Sequence, residues 1–199
     1  MANKIKYGLK NVYYAKATIA ADGTATYGTP VAFPGAVSLS LEPQGENTPF
    51  YADNIVYWVG AGNNGYEGDF EMARVIDAFK KDVLGYIDDG KNVLIEDLNA
   101  NAVHFALLFQ FEGDEKATRH VMYNCTCTRP NAEGTTKGES IEPATETVTI
   151  TATSIYDETL QKDIVKAEAN EATDATTYSG WFSAVYLPTA PTQPPATTE

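Results

Sequence analysis

Apolar and polar residues alternate with period two over most of the chain, a pattern typical of β-strands that bury one face. Asp22 and Gly23 supply a turn after the first of these strands. Residues 102–111 form the most apolar stretch and are expected to be the central core strand. The sequence therefore predicts a mainly β domain. The predicted strands cover residues 10–18, 36–42, 55–59, 66–72, 92–96, 102–111, 119–129 and 147–156.

The period changes to that of a helix in one place. In residues 73–84, the apolar side chains recur at helical spacing, Gly85 follows as a stop, and Lys80 and Lys81 suit the carboxyl end of a helix dipole. This pattern predicts one main helix. A second, short helix is predicted within residues 173–185, where Gly180 is unfavourable.

Residues 43–54 interrupt the alternation with a polar stretch between two predicted strands. A hairpin turn needs far fewer residues, and loops of this length in compact domains are usually binding elements or disordered. No turn-forming pair marks the tip, and the aromatic pair Phe50 and Tyr51 favours binding. We therefore interpret residues 43–54 as an arm-like loop that contacts another molecule.

The charge of the chain argues against a nucleic-acid-binding protein. The net charge is −13, with 27 acidic residues against 14 basic ones, whereas affinity for phosphate depends on clustered Lys and Arg. No apolar run is long enough to span a bilayer, and the first ten residues lack the apolar segment of a signal peptide. We expect a protein that is made in a cytoplasm.

Several short motifs resemble binding or catalytic sites without the context that those sites need. Residues 60–65, GAGNNG, fit a dinucleotide-binding fingerprint, but the acidic strand pattern that follows replaces the required helix, which predicts a glycine-rich hairpin turn. Cys125 and Cys127 are expected on a buried strand face beside Val121 and Tyr123. The histidines, His104 and His120, and the turn at Asp88 and Asp89 are expected to be structural; no enzymatic activity, metal or cofactor is predicted.

Four stretches of the first half resemble the major tail proteins of long-tailed phages that infect Gram-positive bacteria, the subunits of the tail tube. They are residues 7–15, 34–54, 63–73 and 77–86, and the second half is similar in the order of its elements. The resemblance implies a β-sandwich or barrel-like domain over residues 1–187 with one flanking helix and a long hairpin arm. Residues 188–199 are rich in Pro and Thr and are expected to be an extended tail.

The same resemblance implies how the protein functions. Such subunits form hexameric rings that stack into a tube, partner with tape-measure, terminator and distal tail proteins, and let double-stranded DNA pass without specific binding. They belong to the virion tail, are assembled in the host cytoplasm and have no membrane partner. Glu67, Asp69 and Glu71 are candidates for the channel wall, and an ordinary solvated face is equally compatible with their pattern. The arm residues implied in contacts between rings are Pro43, Gln44, Glu46, Asn47, Phe50, Tyr51 and Asp53.

Two other classes of protein remain open. A tube protein of a contractile injection or secretion machine would share the fold and would require a sheath partner. A cell-surface or carbohydrate-binding β-domain would share the composition and should carry a secretion signal and an exposed aromatic platform.

Overall fold

The computed structural model of the protein describes residues 5, 7–101, 103–114, 117–134, 136 and 143–189. The fold is mainly β, as the alternation predicts, with two short helices in the described part of the chain. The helices are α1 (Asp77–Asp82) and α2 (Ala175–Gly180). The strands are β1 (Tyr7–Ile19), β2 (Ala25–Tyr27), β3 (Val31–Ala32), β4 (Ala36–Gln44), β5 (Asn47–Ala52), β6 (Ile55–Ala61), β7 (Gly65–Met72), β8 (Ile87–Asp88), β9 (Leu94–Ile95), β10 (Phe105–Glu112), β11 (Arg119–Cys127), β12 (Glu146–Thr153), β13 (Ile155–Asp157), β14 (Lys162–Ile164) and β15 (Lys166–Ala169).

One antiparallel sheet organises the molecule. Its strand order is β2-β1-β10-β11-β12-β7-β4, with β3 added to β1, and β15 paired with the part of β11 that extends past β12. The most apolar strand, β10, lies inside this order, which confirms its prediction as the central core strand. Strands β1 and β4 approach each other although four strands lie between them in this order. The sheet therefore curls around one of its faces.

The inner face of the curled sheet holds the larger core, and α1 closes it. Phe79 of α1 makes edge-to-face contacts with Tyr14, Phe33 and Phe105, with ring centroids 5.0, 5.3 and 5.3 Å apart. Such aromatic contacts add about 0.5–1.5 kcal/mol each to the burial of their area. The helix therefore completes the core that positions β4, β7 and β12.

Helix α1 is half as long as the predicted helix at residues 73–84. Ile76 has an extended backbone (φ −69°, ψ 146°), and the amide of Val75 donates to Glu146 Oε2 at 2.7 Å, so the chain before Asp77 is not helical. The predicted apolar positions Val75, Phe79 and Val83 are nevertheless buried. Periodicity identified the face that packs on the core but not the extent of the helix.

The outer face of β1, β10 and β11 carries a second core, which the C-terminal segment covers. Trp181 is buried there and donates its indole N–H to the His120 carbonyl at 3.3 Å, while Phe182 stacks on Tyr13 with centroids 5.1 Å apart. Helix α2 confirms the predicted short helix, and Gly180 is its last residue. Strand β10 is consequently buried on both faces.

A bulge in β11 makes one prediction about the cysteines wrong. Phe105 pairs with Cys125 whereas Leu107 pairs with Met122, so β11 has one residue more than β10 between these pairs. The extra residue reverses the alternation of side chains. Cys125 consequently packs in the inner core while Tyr123 packs in the outer one, instead of sharing a face. Both thiols are free, and Cys125 is fully buried.

Candidate functional site

Residues 43–54 are not a loop, and this prediction was wrong. Strand β4 runs on to Gln44, β5 follows, and β5 and β6 pair as a hairpin whose turn is Asp53–Asn54. Both turn residues have left-handed backbones, with φ of 52° and 63°, as a tight two-residue hairpin turn requires. The sequence does contain a turn-forming pair, because Asp and Asn tolerate this conformation better than most residues.

The hairpin continues the ribbon of β4 and β7 out of the main sheet. The last pair of that ribbon is Gln44 with Gly65, and beyond it the amide of Asn64 donates to the Gln44 carbonyl at 2.8 Å. The amide of Gly62 then donates to the Glu46 carbonyl at 3.3 Å. We call residues 45–64 the arm. The GAGNNG segment therefore lies at the base of the arm rather than at a hairpin turn.

Glycines let the two strands of the arm approach closely at its base. Gly45 has φ of 135°, and a Cβ there would overlap the carbonyl of Gly62 on the other strand. A Cβ on Gly62 would lie 2.9 Å from the Glu46 carbonyl oxygen. Strands with larger residues at these positions could not keep this spacing. The physical role of the glycine-rich segment is this close crossing.

The arm exposes apolar side chains on both of its faces. Phe50 pairs with Trp58 on one face and Pro49 pairs with Val59 on the other. Phe50 and Trp58 are 58% and 62% exposed, and Tyr57 is 71% exposed. Soluble monomers rarely expose such a contiguous apolar surface unless it binds a partner. The exposed large apolar residues of the arm are Phe50, Tyr51, Ile55, Val56, Tyr57, Trp58 and Val59.

The sequence pattern did not predict most of this exposed apolar surface. The alternation of residues 55–59 predicts a strand of the body with one buried face, so only Phe50 and Tyr51 were expected to be available for binding. The structure places the other predicted arm residues apart: Pro43 and Gln44 belong to β4, Glu46 lies at the base, Asn47 begins β5 and Asp53 is at the tip. Asp53 is the one charged residue between positions 47 and 61.

Glu67, Asp69 and Glu71 lie together on the exposed face of β7, opposite the inner core. Neighbouring strands extend this polar face, since Ser40 of β4 and Thr149 of β12 both pair with Asp69. The surface can bind water and ions but offers no apolar contact. The polar face comprises Ser38, Ser40, Glu42, Glu67, Asp69, Glu71, Thr147, Thr149 and Thr151.

Hydroxyl groups donate hydrogen bonds to two carboxylates of the polar face, those of Asp69 and Glu71. Thr149 donates to Asp69 Oδ1 at 3.0 Å, while Thr145 and Ser38 donate to the two oxygens of Glu71 at 2.7 and 2.9 Å. The hydrogen bonds from Thr145 and then Ser38 lower the pKa of Glu71. The side chain therefore stays negatively charged at lower pH than a free glutamate.

The histidines have structural partners. His104 Nδ1 lies 2.6 Å from Asn124 Oδ1, and His120 stacks on Phe109 with centroids 4.9 Å apart and lies 3.4 Å from a Glu168 carboxylate oxygen. In the part of the chain that the structure describes, no three His, Cys, Asp or Glu side chains form a group suited to a metal ion. No helix among the described residues has the length and apolar character needed to cross a bilayer.

A comparison with protein families gives a match over nearly the whole chain. The matching family model is described as "Phage tail tube protein" and covers residues 2–190. A comparison with curated proteins returned no match.

Proposed function

The chain belongs to the phage tail tube protein family, and from this premise we propose that it forms hexameric rings that stack into the conduit for the genome. Membership of the family makes the protein a structural component of a virion tail that assembles with itself and with other tail proteins. The proposal adds the number of subunits in each ring, the contacts between rings and the passage of DNA through the channel.

The observation that carries the proposal is the arm with two apolar faces. Its strands extend about 25 Å from Glu46 to the turn at Asp53, at roughly 3.3 Å per residue, which is long enough to leave the subunit and reach a neighbour. Fully burying one large apolar side chain contributes about 1.5–3 kcal/mol. Several such side chains on one arm can therefore stabilise stacking. We assign the arm to the contact between adjacent rings.

The polar face of β4, β7 and β12 suits the wall of the channel. In this proposal Glu67, Asp69 and Glu71 face the lumen, and six copies surround the passing DNA with negative charge. An acidic wall repels phosphate, so DNA passes without being retained. Strand β4 ends the strand order of the main sheet, and pairing with a neighbouring subunit would remove this exposed edge.

The remaining partners follow from the position of the subunit in a tail. Tape-measure protein would occupy the lumen before DNA does, and terminator and distal tail proteins would contact the two ends of the tube. Assembly takes place in the host cytoplasm in this scheme. Neither a cofactor nor a membrane has a part in it.

An arm replacement tests the proposal. Residues 47–61 are replaced by Asn-Gly, which joins Glu46 to Gly62 through a two-residue turn where the two strands are already hydrogen-bonded. We expect a subunit with unchanged circular dichroism that forms no tubes in negative-stain electron microscopy. Thr48→Ser, also on the arm, is the matched control and should form normal tubes. Tubes of normal diameter from the arm-replaced subunit would exclude the arm as the stacking element.

A further inference from the structure

A second small hairpin also exposes its apolar face. Strands β8 and β9 pair Ile87 directly opposite Ile95, and these residues are 53% and 49% exposed. Val93, just before β9, is 52% exposed, and Leu98, three residues after β9, is 84% exposed. We call Ile87, Val93, Ile95 and Leu98 the hairpin patch. A two-stranded hairpin normally buries such a face, so this one is available to a partner.

Hydrogen bonds and ion pairs connect the hairpin of the patch to the body. The Tyr86 hydroxyl donates to Glu96 Oε2 at 3.0 Å, and Arg129 lies 2.9 Å from the other Glu96 oxygen and donates to the Asp97 carbonyl at 2.9 Å. Lys81 at the end of α1 lies 3.5 Å from Asp88. These exposed contacts connect both strands of the hairpin to α1 and to Arg129.

The arm and the hairpin patch lie toward opposite ends of β7. The first residue of that strand, Gly65, pairs with Gln44 at the base of the arm. The last, Met72, pairs with Glu146, whose side chain accepts a hydrogen bond from the Val75 amide just before α1, and Lys81 of α1 lies 3.5 Å from Asp88 of β8. Among the described residues, one chain thus exposes an apolar surface toward each end of β7, which is what head-to-tail association of identical subunits requires.

We infer that the hairpin patch is the acceptor for the arm of a second copy of this chain in the adjacent ring. The inference rests on the proposed role of the arm in stacking and specifies where the arm binds.

Charge favours this occupant. Two copies with a net charge of −13 repel each other, but Asp53 is the one charge between positions 47 and 61 of the arm. Beside the patch, Asp88 and Glu96 are paired with cations. The carboxylates of Asp89 and Asp97 accept backbone amides instead. Lys91 lies in the β8–β9 turn and has no ion pair with another described residue, so it can receive Asp53. The least acidic part of one copy therefore meets a part of the next that offers a lysine to its single charge.

Substitution of the patch gives the first test. Ile95→Ser together with Leu98→Ser should leave a folded, soluble subunit, because both side chains are already exposed, and should raise the critical concentration for tube formation at least tenfold. Leu160→Ser is the matched control, since Leu160 is exposed but lies in the β13–β14 connection. An unchanged critical concentration for the patch variant would overturn the inference.

Cross-linking identifies the occupant. Tyr57→Cys and Leu98→Cys place one thiol on the arm and one on the patch, and a bismaleimide of about 10 Å is added under assembly conditions. The double variant should give a ladder of covalent oligomers. The unsubstituted chain should give only background, and so should each single variant when it is tested on its own. Cross-linked dimers from Leu98→Cys alone, or no ladder from the double variant in formed tubes, would assign the patch to another contact.

The two proposals fail in different ways. The first outcome is that the arm-replaced subunit forms no tubes, the patch variant forms tubes normally, and the double cysteine variant gives no cross-links. The arm then functions in stacking but binds elsewhere. If the arm-replaced subunit itself forms normal tubes, the proposed role of the arm fails first and the inference fails with it.

Discussion

Two carboxylates of β7, those of Asp69 and Glu71, accept hydrogen bonds from hydroxyl groups rather than pairing with cations among the described residues. Thr149 holds Asp69, and Thr145 and Ser38 hold Glu71. Hydroxyl donors fix an acidic side chain without cancelling its charge, whereas an ion pair would neutralise it. The face therefore retains the negative field that an acidic channel wall needs.

Charge reversal on this face tests its location. Glu67→Lys, Asp69→Lys and Glu71→Lys together should leave tubes intact but slow DNA release from virions, because a ring of positive charge retains phosphate, and added salt should restore the rate. The control is Glu158→Lys, Asp163→Lys and Glu171→Lys, which changes the net charge equally at exposed sites elsewhere. Normal release from the first variant would remove β7 from the channel wall.

Gly68 is required by the close approach of β4. A Cβ at Gly68 would overlap the Ser40 carbonyl oxygen on the neighbouring strand. Gly68→Ala should therefore lower the free energy of unfolding by about 2–3 kcal/mol, measured by urea denaturation of unassembled subunits. Gly134→Ala, where a Cβ meets no atom within 4 Å, should be neutral within about 0.5 kcal/mol. Equal stabilities for the two variants would contradict this account of the sheet.

The two thiols should be inert in the folded subunit. Burial raises the pKa of Cys127 to about 12 and raises that of Cys125 further. Because the thiolate is the reactive form, both groups stay protonated and unreactive at pH 8. A colorimetric thiol reagent should detect no fast-reacting group in native protein and two per chain in denaturant. Rapid reaction of either thiol in the native state would show that the bulge in β11 does not bury it.

At the scale of elements, the sequence predicted which residues are buried better than it predicted where elements end. The apolar positions of α1 were identified correctly, but the side chain of Glu146, more than sixty residues away, binds Val75 and stops the helix from starting earlier. No local pattern contains that contact. The prediction of the arm was wrong for a related reason. Residues 55–59 alternate as a buried strand does, although no element in the described part of the chain covers them.

The turn of the arm gives a prediction at this scale. Asn54 has φ of 63°, a conformation that costs a β-branched residue about 1–2 kcal/mol or more and costs glycine little. Asn54→Val should therefore raise the critical concentration for tube formation by about tenfold, and Asn54→Gly should leave it unchanged or lower it. Light scattering against protein concentration measures both. Equal values for the valine and glycine variants would show that the turn does not limit assembly.

At the scale of the whole molecule, self-association works against the net charge of −13. Acidic subunits repel until salt screens them, and the screening length is about 8 Å at physiological ionic strength. Apolar contacts such as those of the arm do not weaken under these conditions. The critical concentration should therefore fall as sodium chloride is raised from about 10 to 150 mM. A rise over the same range would indicate that ion pairs, not apolar contacts, hold the rings together.

The fold class and the acidic row of β7 could be predicted from the sequence because both depend on residues close together in the chain. The polar face could be predicted only in part, because residues of β4 and β12 complete it. Which of their residues lie beside the β7 carboxylates depends on the strand register, and long-range pairing sets that register. Of the hairpin patch, only Val93 and Ile95 fell in a predicted element, the short strand at residues 92–96. A residue's exposure in a small hairpin depends on which neighbours fail to cover it, and the local pattern does not contain that information.

The outer core also imposes an order on folding. Tyr13, near the start of the chain, is covered by Phe182, and Trp181 covers the outer face of β11. The contact between Tyr13 and Phe182 joins residues far apart in the sequence, and contacts of long sequence separation slow folding. A nascent chain on the ribosome cannot close its outer core until Trp181 and Phe182 have left the exit tunnel. Before that point the subunit cannot be fully folded, and so cannot associate as a complete sheet.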